Sequence, residues 1–376
     1  MSYYWLSVAL KTGDVLADLP LLSCEKVSKQ IGALTTSEAA LPVVGRGTPE
    51  NWLRATLPGG SALVLLDTAT DTPVWGGMVT RRQRSTGDTV ALSLATIEAY
   101  LDRRFVGDRS YRGADQNTIV SDLVARFVAT GSNGGLPIRT QTTGSGVVIL
   151  RDRDYADISD KTVLSALQEL MGVEGGAEFT ADWEWSAGRL TPVLTVGDRI
   201  GSAPTPGLFP AATFEVPGPV REAELSEDYA SDSGANDVMA VSSADADQRP
   251  QSRHVVTLDP DRPTFENRFS PSTSITDTAT LDAHAASMAA ILASGEQALS
   301  LASATKDAPR VGVDWIAGDD LGFVVGGLDR FGRELVPAFP GGLTGVARSV
   351  GWVLEFQSTQ APETITPVLQ DPSEEA

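Results

Sequence analysis

The chain has 376 residues, enough for about two to four domains, and 41% hydrophobic content, ordinary for a globular protein. Forty-nine acids against 29 bases leave a net charge of −20, with 24 arginines and only five lysines. That balance excludes a protein that grips nucleic acid through clustered Lys and Arg, and suits a surface that nucleic acid passes without sticking.

In chain order, the opening MSYYWLSVALKTGDVLADLP lacks the basic n-region of a signal peptide, and Lys11 and Asp14 interrupt its apolar run. No stretch approaches the ~20 apolar residues that cross a bilayer. Synthesis and folding in the cytoplasm, without a membrane segment, are therefore expected. SYYWLSVALKT, ENWLRATLP, SALVLLDT, PVWGGMVTRRQR and DTVALSLATI read as strands, the last two joined by the turn STGD. In TVALSLATI, Val90, Leu92 and Leu94 face one way and Thr89, Ala91 and Ser93 the other. The single cysteine, Cys24, fits an inward strand position. Residues 1–105 thus read as a compact antiparallel barrel or sandwich.

The pattern then changes period. ADQNTIVSDLVARFVAT places Ile119, Val120, Leu123, Val124 and Phe127 at helical spacing, with Asp115 as N-cap. DISDKTVLSALQELMG does the same with Val163, Leu164, Leu167 and Leu170, Gly172 being the stop. Its start is assigned to a cap at Asp157 or Ser159, with Asp160 in the first turn of a helix over 160–171. Strands flank both segments, and ADWEWSAGRLTPVL predicts a hairpin turning at Ser186–Gly188. Residues 106–200 make a small α+β domain. SAPTPGLFPAA at 202–212 reads as a linker or long crossing loop. Strands resume at ATFEVPG, REAELSED, NDVMAVSS and RHVVTLD, are interrupted by one helix within 280–299 that ends near Gly295 or a few residues beyond, and fill 311–369. QDPSEEA is an acidic tail, expected to be loose.

The acids invite a search for chemistry. Asp314, Asp319 and Asp320 in DWIAGDDLGFVV lack the alternating spacing of a calcium loop. With Gly318 between them they read as a turn into a buried strand. Asp152, Asp154, Asp157 and Asp160 are offset by Arg151 and Arg153 or assigned to the helix start. Asp259 and Asp261 around Pro260 are turn chemistry. The two histidines, His254 and His284, have no partner at metal-ligand spacing, and HExxH, GxSxG and the phosphate-loop GxxxxGK[ST] are all missing. No catalytic, cofactor-binding or metal residue is assigned. The aromatics Tyr3, Tyr4 and Trp5, with Trp183 and Trp185, fit strand core or interface better than sugar platforms.

One internal echo stands out. Trp52, Gly59-Gly60 and three strands near the start are matched by Trp315, Gly318-Asp319 and three strands near the end.

AYLDRRFV at 99–106, GADQNTIVSDLVARFV at 113–128, VLSALQELMGVEGGAEF at 163–179, VDWIAGDDLGFVV at 313–325, GVARSVGWVLEF and ETITPVL follow one another in an order that resembles a phage family. That family is the tail hub, or minor tail, proteins of long non-contractile-tailed actinobacteriophages, similar also to the baseplate hubs of contractile tails. The resemblance implies an α+β, mainly β fold. It would hold two related antiparallel β-barrels, a small inserted α/β domain and a fourth packing domain. The implied divisions are 1–105 for the first barrel, 106–205 for the insert, 206–250 with 308–345 for the second barrel, 251–307 with 346–370 for the fourth domain, and 371–376 for the tail.

It further implies a structural, non-enzymatic hub in the virion's tail tip, needing no cofactor. Three copies would form a ring between the hexameric tail tube (or distal tail protein) and a three-fold tip or fibre. DNA would leave through its lumen without specific binding. A tip protein that binds host polysaccharide, or a cell-wall or glycan hydrolase, is the alternative.

Overall fold

The computed structural model describes residues 3–173, 175–203, 209–242, 249–271, 277–357 and 362–370. The predicted tail at 371–376 and the centre of the 202–212 linker lie outside them. Clustering of contacts gives two units: Met1–Arg221 with Ala302–Val368, and Glu222–Leu301 with Leu369 and Gln370. The fold is α+β and mainly β. Among the described residues no helix is long and apolar enough to cross a membrane.

The first region runs β1 (Tyr3–Ala9), β2 (Val15–Asp18), β3 (Ser23–Cys24), β4 (Lys26–Gln30), β5 (Thr36–Pro42), α1 (Trp52–Ala55), β6 (Ser61–Asp67), β7 (Pro73–Gln83), β8 (Thr89–Ala95) and α2 (Glu98–Leu101). ENWLRATLP is therefore not a strand. Trp52–Ala55 close one helical turn, because both the backbone N–H and the hydroxyl of Thr56 bond back to the Trp52 carbonyl, at 2.9 and 2.8 Å. The predicted alternation of β8 is observed, with Val90, Leu92 and Leu94 buried. Cys24 is half-buried, its Sγ against the Lys26 carbonyl and the Ser37 hydroxyl.

Seven strands make one antiparallel sheet in the order β2-β1-β6-β7-β8-β5-β3. Its two edge strands, β2 and β3, are consecutive in the chain. Asp18 and Ser23 are five Cα steps apart, at most about 18 Å of extended chain. Across a flat sheet, six strand spacings would separate the edges by about 29 Å. The short connection therefore forces the sheet to curl.

The next region holds β9 (Arg109–Asp115), α3 (Gln116–Phe127), β10 (Arg139–Thr143), β11 (Leu150–Tyr155), α4 (Val163–Met171), β12 (Glu178–Ser186) and β13 (Arg189–Gly197). Asp115 caps α3 as expected, its carboxylate accepting from the Thr118 N–H at 3.1 Å. Gly172 is the C-cap of α4. The β12–β13 hairpin turns through Ala187 and Gly188, both at positive φ as a tight primed turn requires. The start of α4 differs from expectation. Asp157–Ser159 form a separate 3-10 turn, Asp160 has φ 46°, and the cap is Thr162, whose hydroxyl accepts from the Ser165 N–H at 3.1 Å. A left-handed residue at 160 breaks the helix path, so the cap must follow it.

This region shares a core with the first sheet. Val8, Ala62, Val64 and Leu66 pack in one cluster with Ile119, Leu123, Leu167, Leu170 and Phe179. Each fully buried Leu there contributes about 1.5–3 kcal/mol relative to exposure. Leu63 and Leu65 point to the opposite face of β6 and are equally buried, so this strand is covered on both sides.

The chain continues with β14 (Ala212–Val216), β15 (Val220–Asp228), β16 (Asp237–Ala240), β17 (Val255–Val256), β18 (Glu266–Phe269), α5 (Thr278–Leu292), β19 (Glu296–Ala304), β20 (Asp320–Val325), β21 (Leu343–Glu355) and β22 (Thr364–Leu369). The helix expected within 280–299, with its end near Gly295 or a few residues beyond, runs to Leu292 with Ala293 as its C-cap. Beyond Gly295 the sequence pairs as β19 instead, with Ser303 and Ala304 opposite Ile365 and Thr364.

In the smaller unit, α5 lays Leu281, Ala285, Ala289 and Leu292 over the β17-β16-β18 sheet, against Ala235, Val238 and Ala240. Asp277 caps it through the Thr280 N–H at 2.9 Å.

A second large sheet runs β14-β20-β21-β22-β19-β15, with β4 paired to the far end of β21. Its edge strands, β14 and β15, are again consecutive. Val216 and Val220 are four steps apart, about 14 Å at most, whereas five flat spacings would need about 24 Å. This sheet curls too. With β1 removed from the first sheet, the two strand orders coincide: β2, β3, β5, β6, β7 and β8 take the places of β14, β15, β19, β20, β21 and β22. The direction of one edge strand agrees as well. β14 runs parallel to β20, and β2, antiparallel to β1 and through it to β6, runs the way β6 does.

Candidate functional site

The acid cluster at 314–320 is built as a turn and a joint. Asp314 accepts the Arg310 backbone N–H at 2.8 Å and lies beside its guanidinium, which together hold the carboxyl below its usual range. Trp315 is buried edge-on against Phe214 at 5.8 Å, its indole N–H donating to the Pro309 carbonyl at 3.1 Å.

Asp319 is filled on both oxygens. Oδ1 accepts from the Ser202 N–H at 2.7 Å and its hydroxyl at 2.8 Å, and Oδ2 from the Ile316 N–H at 2.8 Å. Asp320 pairs with Arg199. These donors occupy the carboxylates.

The same residues stitch the segment after β13 to the β20–β21 hairpin. Arg348 makes a two-pronged ion pair with Glu178, and its Nη2 also donates to the Ile200 carbonyl at 3.0 Å. Glu178 in turn accepts the Ile200 N–H at 2.7 Å. The Asp320 N–H reaches the Ser202 carbonyl at 3.0 Å, and the Gly318 N–H the Ser349 carbonyl at 2.5 Å. Gly201 and Gly318, at φ +78° and +101°, meet backbone to backbone; a Cβ on either would lie about 2 Å from the other segment's main chain.

Beside this joint lies a cavity of about 660 Å³ lined by Lys29, Thr142, Thr180, Asp182, Asp319 and Trp352 among others. Lys29 donates to the Ala181 carbonyl at 2.5 Å and pairs with Asp182. Close by, Glu98 is fully buried at the start of α2 and accepts the Ala181 N–H at 3.0 Å. Burial pushes its carboxyl above the ordinary range, and the Lys29 charge opposes that rise.

The other sequence candidates are scattered. Asp152 accepts the Gly113 N–H at 2.6 Å and Asp154 pairs with Arg112 at 2.8 Å, a contact that holds the Asp154 carboxyl low. Asp259 accepts the Asp261 N–H and pairs with Arg262, as a turn acid does. His254 lies 2.6 Å from Asp237, and His284 is exposed on α5. Among the described residues no group of three His, Cys, Asp or Glu side chains is placed to hold a metal.

Trp5 is buried, 6.0 Å from both Trp75 and Phe356. Trp183 is buried in the core shared by the two regions. Tyr4 and Trp185 both bond to Asp71, at 2.9 Å each. These aromatics serve packing and local bonding.

Nothing local in the sequence marks Glu178, Arg199 and Lys29, since their partners lie more than 100 residues away, and the same holds for the partner of Arg348. The one local signal was an arginine inside the otherwise apolar and small VARSVGWVL of β21.

No protein-family model and no curated protein matches the chain. Solved structures do. The chain superimposes on a tail protein from Neisseria meningitidis MC58 with TM-score 0.58 and 13% identity, covering 98% of this chain and 97% of that one. A 43 kDa tail protein of prophage MuSo2 from Shewanella oneidensis gives TM-score 0.58 at 11% identity, covering 98% of each. A chain of a PdpA–VgrG complex gives TM-score 0.53 at 8% identity, matching 98% of this chain but only 64% of its own length. At such identities the likeness is one of fold. The chain has the fold seen in these phage tail proteins along almost its whole length.

Proposed function

We propose that this chain is a structural tail hub protein, placed at the distal tip of a phage tail and acting in three copies. The observation that carries the reading is the matched strand order of the two curled sheets. We take these as two related barrels, the first drawn from 1–105 and the second from β14, β15 and β19–β22, with 106–205 as the insert. A head-to-tail contact that rotates to closure makes a ring. Three chains with two similar barrels each present six similar surfaces to a hexameric tube and three to a tip or fibre. Fold similarity to two tail proteins over 97–98% of their length supports the setting.

The role asks for mechanics, not chemistry. The joint at Asp319, Gly201 and Arg348 ties the inserted region to the second sheet in the larger unit, as a part transmitting load between neighbours requires. The channel of such a ring must release DNA without retaining it. A net charge of −20 per chain repels phosphate over about a Debye length. No enzymatic step is assigned.

The test is to label the protein with gold-conjugated antibody on intact phage particles that encode it and image them. Gold at the distal tail end supports the reading; particles devoid of the protein would refute it.

A further inference from the structure

Between β20 and β21, residues 326–342 form a short ordered arm. Leu328 bridges Glu334, the Leu335 N–H bonds the Gly327 carbonyl at 2.8 Å, and the Asp329 N–H bonds the Arg333 carbonyl at 2.8 Å. Its own acids are turned into the backbone. Asp329 Oδ1 accepts from the N–H groups of Phe331 and Arg333, at 2.7 and 2.9 Å, and Glu334 takes the Gly341 N–H.

Beside Glu334, which stays exposed while bonded to the backbone, the arm shows solvent an apolar and cationic face. Phe331 is 66% exposed, with Leu328 and Leu335 also exposed beside it. The guanidiniums of Arg330 and Arg333 stack on the Phe331 ring, 4.6 and 5.7 Å from its centroid. Among the described residues no carboxylate lies within ion-pair reach of either arginine.

Arginine and aromatic side chains on a pre-ordered support are the composition of an interface anchor. The cationic face also stands out on a chain of net charge −20. We propose that the 326–342 arm docks on an acidic surface of a second copy of this chain, Phe331 being the buried anchor and Arg330 and Arg333 the charge-assisted donors. This rests on the proposed ring, for which it names the contact. Like charge drives the copies apart at long range, and the two guanidiniums supply attraction where the surfaces touch.

The experiment is sedimentation equilibrium of the full chain over a wide range of concentration. It compares the unaltered protein with R330E/R333E and, separately, F331A. All the altered side chains are exposed, so circular dichroism should be unchanged. The expected result is association of the unaltered chain, and an association constant at least about tenfold lower in each variant. Association equal in all three would overturn the arm as the contact while leaving the ring standing on another surface. A chain that stays monomeric throughout would overturn the contact and the self-assembling ring together.

Discussion

Arg348 and Glu178, 170 residues apart, meet in a two-pronged ion pair, Nη1 on Oε1 at 2.7 Å and Nη2 on Oε2 at 2.5 Å. Their side chains are only 10% and 17% exposed, so each charge depends on the other for solvation. Removing one partner strands the other. R348A is expected to cost about 3 kcal/mol in urea unfolding, and the double replacement R348M/E178L less than the sum of the singles. Additive losses would show that the pair is not coupled.

Gly201 and Gly318 carry the closest backbone approach of the joint. G201A and G318A should each cost more than the 1–2 kcal/mol that left-handed backbone alone costs, because the atoms a methyl would strike are main chain and have no room to withdraw. Gly59 is the control: its φ is +68° with nothing within 4 Å, so G59A should show the conformational cost only. Equal losses at all three positions, by denaturant midpoint, would remove the packing argument.

Glu98 predicts a pH dependence. Its carboxyl is raised in the folded state by burial, so the folded protein holds the proton more tightly than the unfolded chain. The associated stability is fully present below the ordinary glutamate value of about 4.3 and is lost as pH rises through the folded value. E98Q keeps an acceptor for the Ala181 N–H but cannot ionise. Its stability should therefore fall less than that of the unaltered protein between mildly acidic and neutral pH. Parallel curves would contradict this assignment.

Local signals were legible in the sequence, and long-range ones were not. Asp115 before an apolar 3.6-residue period specified both the helix and its cap, since a cap bond spans only three residues. The alternation of Val90, Leu92 and Leu94 marked a strand with one buried face. The start of α4 was misplaced because Asp157, Asp160 and Thr162 are all competent caps, and only the backbone at Asp160 decides among them. The end of α5 near Gly295 was legible too: the C-cap is Ala293, and Gly295 at φ +81° leaves the helix path just after it.

Asp319 was recognised as a turn residue, yet its bonds to Ser202 come from a segment 117 residues away. Nothing near it in sequence announces that partner. The strand order has the same character: the echo around Trp52 and Trp315 was visible, but which strands close each curl depends on pairings spread over the whole chain.

The central claim is a ring of three. The most direct measurement is the mass of the unaltered chain in solution by sedimentation equilibrium at increasing concentration. The account predicts a monomer–trimer equilibrium, with the limiting species at three times the 39.6 kDa chain mass. A limiting mass of one or two chains at the highest concentration would contradict it.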